Sequence, residues 1–246
     1  MTVRRRSFSR RTRRWLALAL AGALALAVVL AVVLARSASP PTRVVTIPRA
    51  DRGASTALLR AAEALDYRPS SEPGAGRIES APAAAAPSPI ARDLLPVGSP
   101  APPFRLRTPT GVAVSLHDLR GKAVLLEFFA TWCPHCAAEA PHLATLYARL
   151  PHDRYAFVAV NADDEDAPSV LAYHVWFGLP FPALLDPRPA TVRFPAHGGL
   201  GPVSSRYRVA AYPTFYVLDP RGRIVWRSDG EQPDALLLRE LRRAAG

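Results

Sequence analysis

The chain has 246 residues, 49% of them hydrophobic, and a formal net charge of +11. Eight Arg and no acid fall in residues 1–36, whereas residues 97–246 hold sixteen Lys or Arg against fourteen Asp or Glu. The bulk of the chain is therefore close to neutral, which excludes a basic nucleic-acid-binding domain. Two Cys, Cys133 and Cys136, exclude a disulfide framework, a four-Cys zinc site and an iron–sulfur cluster held by this chain alone.

In chain order, residues 1–14 form a basic tail and Trp15 to Ala35 an uninterrupted apolar run. About 20 such residues at roughly 1.5 Å each match a hydrocarbon core of ~30 Å. The run exceeds the roughly 7–15 apolar residues of a cleaved signal, so residues 15–35 read as a retained transmembrane anchor in contact with lipid. A cleaved signal, with Ala35-Arg36-Ser37 or Ser37-Ala38-Ser39 as its site, and a nucleic-acid arm are the alternatives. Arg on the N-terminal side keeps that side cytoplasmic. Everything after Arg36 is then expected to be extracytoplasmic, on a single-pass membrane protein.

Residues 36–96 are rich in Pro, Ala and Ser and offer little apolar surface to offset ordering entropy. They read as a flexible linker. Within it, Leu58, Leu59, Ala62 and Leu65 fall at helical spacing behind a possible Ser55 cap. Ser55–Tyr67 is thus either a short docking helix or an Ala-rich stretch of nascent helix.

Residues 97–246 read as one folded domain. Phe104–Arg107 and Val112–Ser115 predict a hairpin around Pro109-Thr110-Gly111. Ala123–Phe129 and Tyr155–Asn161 are continuous apolar runs, the pattern of strands buried on both faces. Cys133–Leu150 predicts a helix with a kink at Pro141, and Ala167–Phe177 a second helix with Pro168 near its start. Strands follow at Pro182–Leu185, Thr214–Leu218 and Arg223–Trp226, the last two joined by an Asp219–Gly222 turn. A closing helix runs from Pro233 to about Arg243. Asp186–Ser205, marked by repeated Pro and Gly, reads as an irregular loop. The alternation predicts an α/β domain with one mixed central sheet flanked by helices.

The chemistry concentrates where a buried strand gives way to a helix, at Cys133-Pro134-His135-Cys136. At a helix N-terminus a Cys133 thiolate faces unpaired N–H groups and the positive end of the dipole. A protonated His135 adds positive charge. Both favour thiolate and pull Cys133 below the ordinary thiol pKa of about 8.5. Stabilising the reduced form makes the disulfide a stronger oxidant. Cys136, deeper along the helix, is the resolving thiol. Glu127, in an apolar strand, should have a raised pKa and exchange protons near neutrality.

The segment Leu126-Glu127-Phe128-Phe129-Ala130-Thr131-Trp132-Cys133-Pro134-His135-Cys136 resembles the active-site region of the thioredoxin superfamily. Ala211-Tyr212-Pro213-Thr214-Phe215 is similar to that superfamily's cis-proline loop. With the anchor and Pro100-Ala101-Pro102-Pro103-Phe104, the arrangement resembles the membrane-tethered TlpA/ResA/CcmG group. The resemblance implies a thioredoxin-like fold and thiol–disulfide oxidoreductase activity. It implies Glu127 as proton relay for the inner cysteine and Glu139 as an acid characteristic of ResA-like proteins. Trp132, Tyr212, Pro213 and Thr214 are implied as client-binding positions. Implied partners are exported Cys-containing proteins, apocytochrome c among them, and a membrane thiol donor or a quinone-linked oxidase. The Pro134-His135 dipeptide resembles DsbA-type oxidants, while the scaffold resembles reductases that prepare apocytochrome c.

Other chemistries fit less well. His142, His152, His174 and His197 do not recur at paired ligand spacing, and Ala137 stands where haem attachment needs His, so no metal or cofactor is expected. The run Asp163-Asp164-Glu165-Asp166 lacks the spaced ligands and Gly of a calcium loop and reads as a solvated turn. A peroxiredoxin-like thiol peroxidase, with Thr131 beside Cys133, and a non-catalytic client-binding module are the rival functions.

Overall fold

The computed structural model describes residues 55–65, 67–68, 93–188 and 200–246. The predicted anchor at 15–35, most of the linker and the middle of the 186–205 loop lie outside these residues. Among the described residues no helix is long and apolar enough to cross a membrane.

The sheet is built outward from its most apolar strand. In β3 (Ala123–Phe129) every residue is buried, as a strand covered on both faces requires. β3 lies between parallel β4 (Tyr155–Asn161) and antiparallel β6 (Thr214–Leu218). β5 (Ala183–Leu185) extends the sheet parallel to β4. The hairpin β1 (Arg105–Arg107) and β2 (Ala113–Ser115) joins antiparallel beyond β5. On the far side β7 (Ile224–Asp229) pairs antiparallel with β6. The order is β2-β1-β5-β4-β3-β6-β7, the expected mixed sheet. β7 runs three residues past the predicted end, because polar Arg227, Ser228 and Asp229 are held by pairing with β6.

Alternation along β3 divides the core. Ala123, Leu125 and Phe129 join a cluster with α2 (Pro134–Ala148), α3 (Ala167–Phe177) and α5 (Asp234–Ala245). Val124, Leu126 and Phe128 pack instead with Leu94, Phe104, Leu116 and Tyr207. Burying each such side chain contributes about 1.5–3 kcal/mol before entropy is counted. Glu127 falls on the first face, the same side as Cys136.

Three further features place the site. Between β6 and β7 the Asp219 carboxylate accepts from Arg221 and Arg223 N–H groups, at 2.9 and 2.8 Å. Gly222 closes that turn at φ +72°, where a Cβ would also meet the Arg120 guanidinium. Within the predicted loop, Pro202–Arg206 is instead a short helix, α4. Buried Asp186 accepts from Val203 N, Ser204 N and Ser204 Oγ at 3.2, 2.7 and 2.7 Å, which supplies the missing cap. Gly201, just before α4, passes against Asp186 with no room for a Cβ. Finally, Thr56–Ala64 forms a helix, α1, capped by Ser55 Oγ to Leu58 N at 3.2 Å. Leu58, Leu59 and Ala62 pack on Leu171, Ala172 and Val175 of α3. Of the two readings of Ser55–Tyr67, the docked helix is the one observed.

Candidate active site

Cys133 is the N-cap of α2, with helical residues starting at Pro134, where Pro is pre-organised. The helix continues through Pro141 to Ala148. The Cys133 sulfur accepts from Cys136 N at 3.1 Å, and both cysteines are free thiols, 3% and 0% exposed. Hydrogen bonding from Cys136, and then the nearby His135 ring and backbone, hold the Cys133 thiol below its ordinary value against the opposing effect of burial. Burial pushes Cys136 well above its ordinary value, reinforced by the Cys133 sulfur and the Glu127 charge. The two thiols are thus separated into an attacking and a held-back member.

Two acids sit behind the pair. Glu127 is buried in β3, and desolvation, then the charges of Glu139 and Cys133, push its carboxyl well above the ordinary range. Glu139, on α2, is 1% exposed rather than a solvated helix-face acid. Its Oε2 accepts from Gln232 N at 3.1 Å and its Oε1 has no partner. Burial raises it to about 8, against the Gln232 bond and with help from Asp234 and Glu231. Glu231 also reaches His135, with Oε1 2.6 Å from Nδ1. The β7–α5 connection therefore touches the redox helix at both His135 and Glu139.

Cys133 opens onto a groove of about 460 Å³. Trp132, Pro134 and His135 form one side, and Leu200 with Val209–Tyr212 the other. Trp132 is 54% exposed and meets Tyr212 edge-on at 5.9 Å. The Tyr212–Pro213 peptide is cis. Thr214, grouped with the client-binding positions, does not reach the groove. It is fully buried and its Oγ1 donates to Ala211 O at 2.7 Å, fastening the loop from behind.

The acid run is the expected strand-to-helix connection, with Asp164 and Asp166 exposed, but each of its carboxylates also holds a donor. Asp163 accepts from Trp132 Nε1 at 2.6 Å, and Asp164 from Arg188 N and Nε at 2.9 and 3.0 Å. Glu165 accepts from Thr131 N at 2.7 Å, from the Thr131 hydroxyl and from Asn161 Nδ2 at 2.5 Å. Asp166 caps α3 through Ser169 N at 2.9 Å. Sequence reading missed these partners, and also Tyr67 and Tyr173, whose hydroxyls donate to Thr131 O and Cys136 O, each at 2.9 Å. The available signal was position: the run leaves β4 beside the end of β3, since Phe129 and Asn161 are in register. Among the described residues no group of three or more His, Cys, Asp or Glu could hold a metal. His174 is buried among Phe129, Tyr173 and Phe181, and desolvation alone lowers it to about 3.

With this geometry in hand, a family model described as AhpC/TSA matches residues 97–227, more than half of the chain. The chain belongs to the AhpC/TSA family. It is 36% identical over 129 residues to the thioredoxin-like protein YneN of Bacillus subtilis, covering 52% of this chain and 68% of that one. It is also 32% identical over 143 residues to the thiol-disulfide oxidoreductase ResA of the same organism, covering 57% and 71%. Among solved structures, a candidate thiol:disulfide interchange protein DsbE from Chlorobium tepidum superposes with TM-score 0.53 at 27% identity. That match covers 62% of this chain and 99% of the other. Within the AhpC/TSA family the chain is therefore a thioredoxin-like thiol–disulfide oxidoreductase of the ResA and DsbE type.

Proposed function

We propose that this oxidoreductase works outside the cytoplasm, tethered by residues 15–35 and a spacer, on exported Cys-containing proteins of the apocytochrome c kind. The observation that carries the reading is a Cys133 sulfur with lowered pKa, opening on an apolar groove, with Cys136 held protonated behind it. The names of ResA and DsbE among the similar proteins support the reaction class.

In the reducing direction the Cys133 thiolate attacks one sulfur of a client disulfide. The client S–S bond breaks, a Cys133–client mixed disulfide forms, and the second client sulfur leaves as thiolate and takes up a proton. Cys136 then gives its proton to the Glu127 carboxylate, which burial makes a stronger base than an ordinary carboxylate. The Cys136 thiolate attacks Cys133, expelling the reduced client and leaving a Cys133–Cys136 disulfide. A membrane thiol donor must supply two electrons to reset it. The same steps in reverse oxidise a client dithiol, with a quinone-linked oxidase as acceptor. Trp132 and Tyr212-Pro213 position the client backbone across the groove.

Thr131 also argues against the peroxidase alternative, because its hydroxyl is taken up by Glu165 rather than left for a peroxide. The deciding experiment equilibrates the full chain in glutathione buffers and incubates its Cys136→Ser variant with an apocytochrome c peptide disulfide. A trapped mixed disulfide at Cys133 is expected. A potential near −120 mV assigns the oxidising direction, and one near about −270 mV the reducing direction. No mixed disulfide, together with full activity of Cys133→Ser in cells, would leave only a binding module.

A further inference from the structure

We propose that residues 55–65 with Tyr67 and Arg68, ahead of the domain, are a positioning arm of the redox site, with the Tyr67 phenol holding the loop between β3 and α2 that presents Cys133. The proposal rests on the thiol–disulfide reading of Cys133 and Cys136. It starts from a hydrogen bond that spans 64 positions of sequence: Tyr67 OH donates to Thr131 O at 2.9 Å. Thr131 is buried and lies two residues before Cys133. On the other side of the cysteine, Tyr173 OH donates to Cys136 O at 2.9 Å. The two phenol rings meet edge-on with centroids 5.8 Å apart. One packed pair of tyrosines therefore grips the backbone both before and after Cys133.

The Tyr67 ring is itself fixed. It meets Trp176 at 6.1 Å and Phe177 at 6.5 Å, both edge-on, and the Arg68 guanidinium lies 5.9 Å over Trp176. Behind it, α1 places Leu58, Leu59 and Ala62 on α3, the same helix that carries Tyr173. The arm thus spans α3 and the loop that ends β3. Without the Tyr67 hydroxyl, the buried Thr131 carbonyl loses a donor while its N–H and hydroxyl remain on Glu165. The loop then shifts toward Glu165, and the bond from Cys136 N to the Cys133 sulfur weakens. The Cys133 thiolate is the species that loses most by this.

The test uses the full chain in detergent, following thiolate absorbance against pH, the potential in glutathione buffers and the Tm. In Tyr67→Phe the Cys133 titration midpoint is expected to rise by about half a pH unit, because the hydroxyl acts on the sulfur through the loop and only part of one hydrogen bond, equivalent to roughly 0.7 unit, reaches it. The potential should fall by about 15 mV. Ala62→Asp, which sets a charge against Leu171 and Ala172 and lifts the whole arm, is expected to shift both readings in the same direction and at least as far. Leu106→Ala, in the opposite core layer, lowers Tm and leaves the titration in place. A midpoint that does not rise in Tyr67→Phe overturns the hydroxyl's role, and no rise in either variant overturns the arm, whatever Tm does. A wild-type chain with no exchange activity would instead refute the redox reading itself.

Discussion

Two groups of carboxylates flank the Cys133–Cys136 segment, and they are built in opposite ways. Glu127 and Glu139 are buried on the α2 side of the sheet, and Glu139 keeps one oxygen without a donor. Asp163, Asp164, Glu165 and Asp166 sit at the end of β4, and each accepts from a backbone or side-chain donor. A carboxyl short of donors in a dry setting has its neutral form favoured and can carry a proton. One surrounded by donors serves as a clasp between segments distant in sequence. The position of an acid next to a redox site therefore says less about its role than the number of donors around it does.

That contrast can be broken at four points. The largest effect is expected from Glu165→Ala, which strands the Thr131 N–H and the Asn161 amide and should destabilise the chain by about 4 kcal/mol in urea unfolding. A loss below about 1 kcal/mol would remove Glu165 from the clasp group. Glu139→Gln should act through pH. Burial holds the folded-state carboxyl at about 8, above its ordinary 4.5, so the folded chain keeps a proton that the unfolded chain releases. Stability is then full below about pH 4.5 and falls as pH rises through about 8. The Gln variant should lack this fall and, relative to wild type, gain roughly 4 kcal/mol between about pH 4 and 8.5. Parallel unfolding curves for the two proteins across that range would contradict it.

Glu127→Gln is expected to slow resolution of the mixed disulfide by about 100-fold, the lower end of general acid–base contributions, while leaving the first attack by Cys133 little changed. Stopped-flow release of a fluorescent client peptide separates the two steps, and equal slowing of both would deny Glu127 the relay. The smallest effect belongs to Asp163→Ala, which removes an acceptor of the Trp132 indole N–H. It should raise KM for a client peptide about threefold at unchanged kcat, since an exposed contact is worth under about 1 kcal/mol. A larger change in kcat than in KM would place Asp163 with the proton-carrying acids.

Much of the fold was legible in the sequence because its signals are local. β3 and β4 have the bounds that their apolar runs predict, and α3 runs as predicted from Ala167 to Phe177. Cys133 at a helix start was equally local, since strand, turn and helix follow one another directly. What the sequence hid depends on distant partners. The acids at 163–166 are partly exposed as their polarity suggests, but their donors Thr131, Trp132 and Arg188 come from 24 to 34 residues away. α4 carries no apolar period in Pro-Val-Ser-Ser-Arg, and its cap is Asp186, just past the end of β5. Thr214 matched a family position, but its side chain turns inward to Ala211.

The close passage of Gly201 against Asp186 also bears on how freely this protein can drift in sequence. A Cβ at 201 would lie 2.1 Å from the Asp186 carbonyl oxygen and 2.2 Å from its carboxyl carbon. Both neighbours are pinned, one as backbone and the other as the cap of α4, so no rotamer yields. In a library randomised at every codon, position 201 should return glycine alone. Even alanine there would push α4 off its cap and carry Leu200 and Val209, one side of the client groove, away from Cys133.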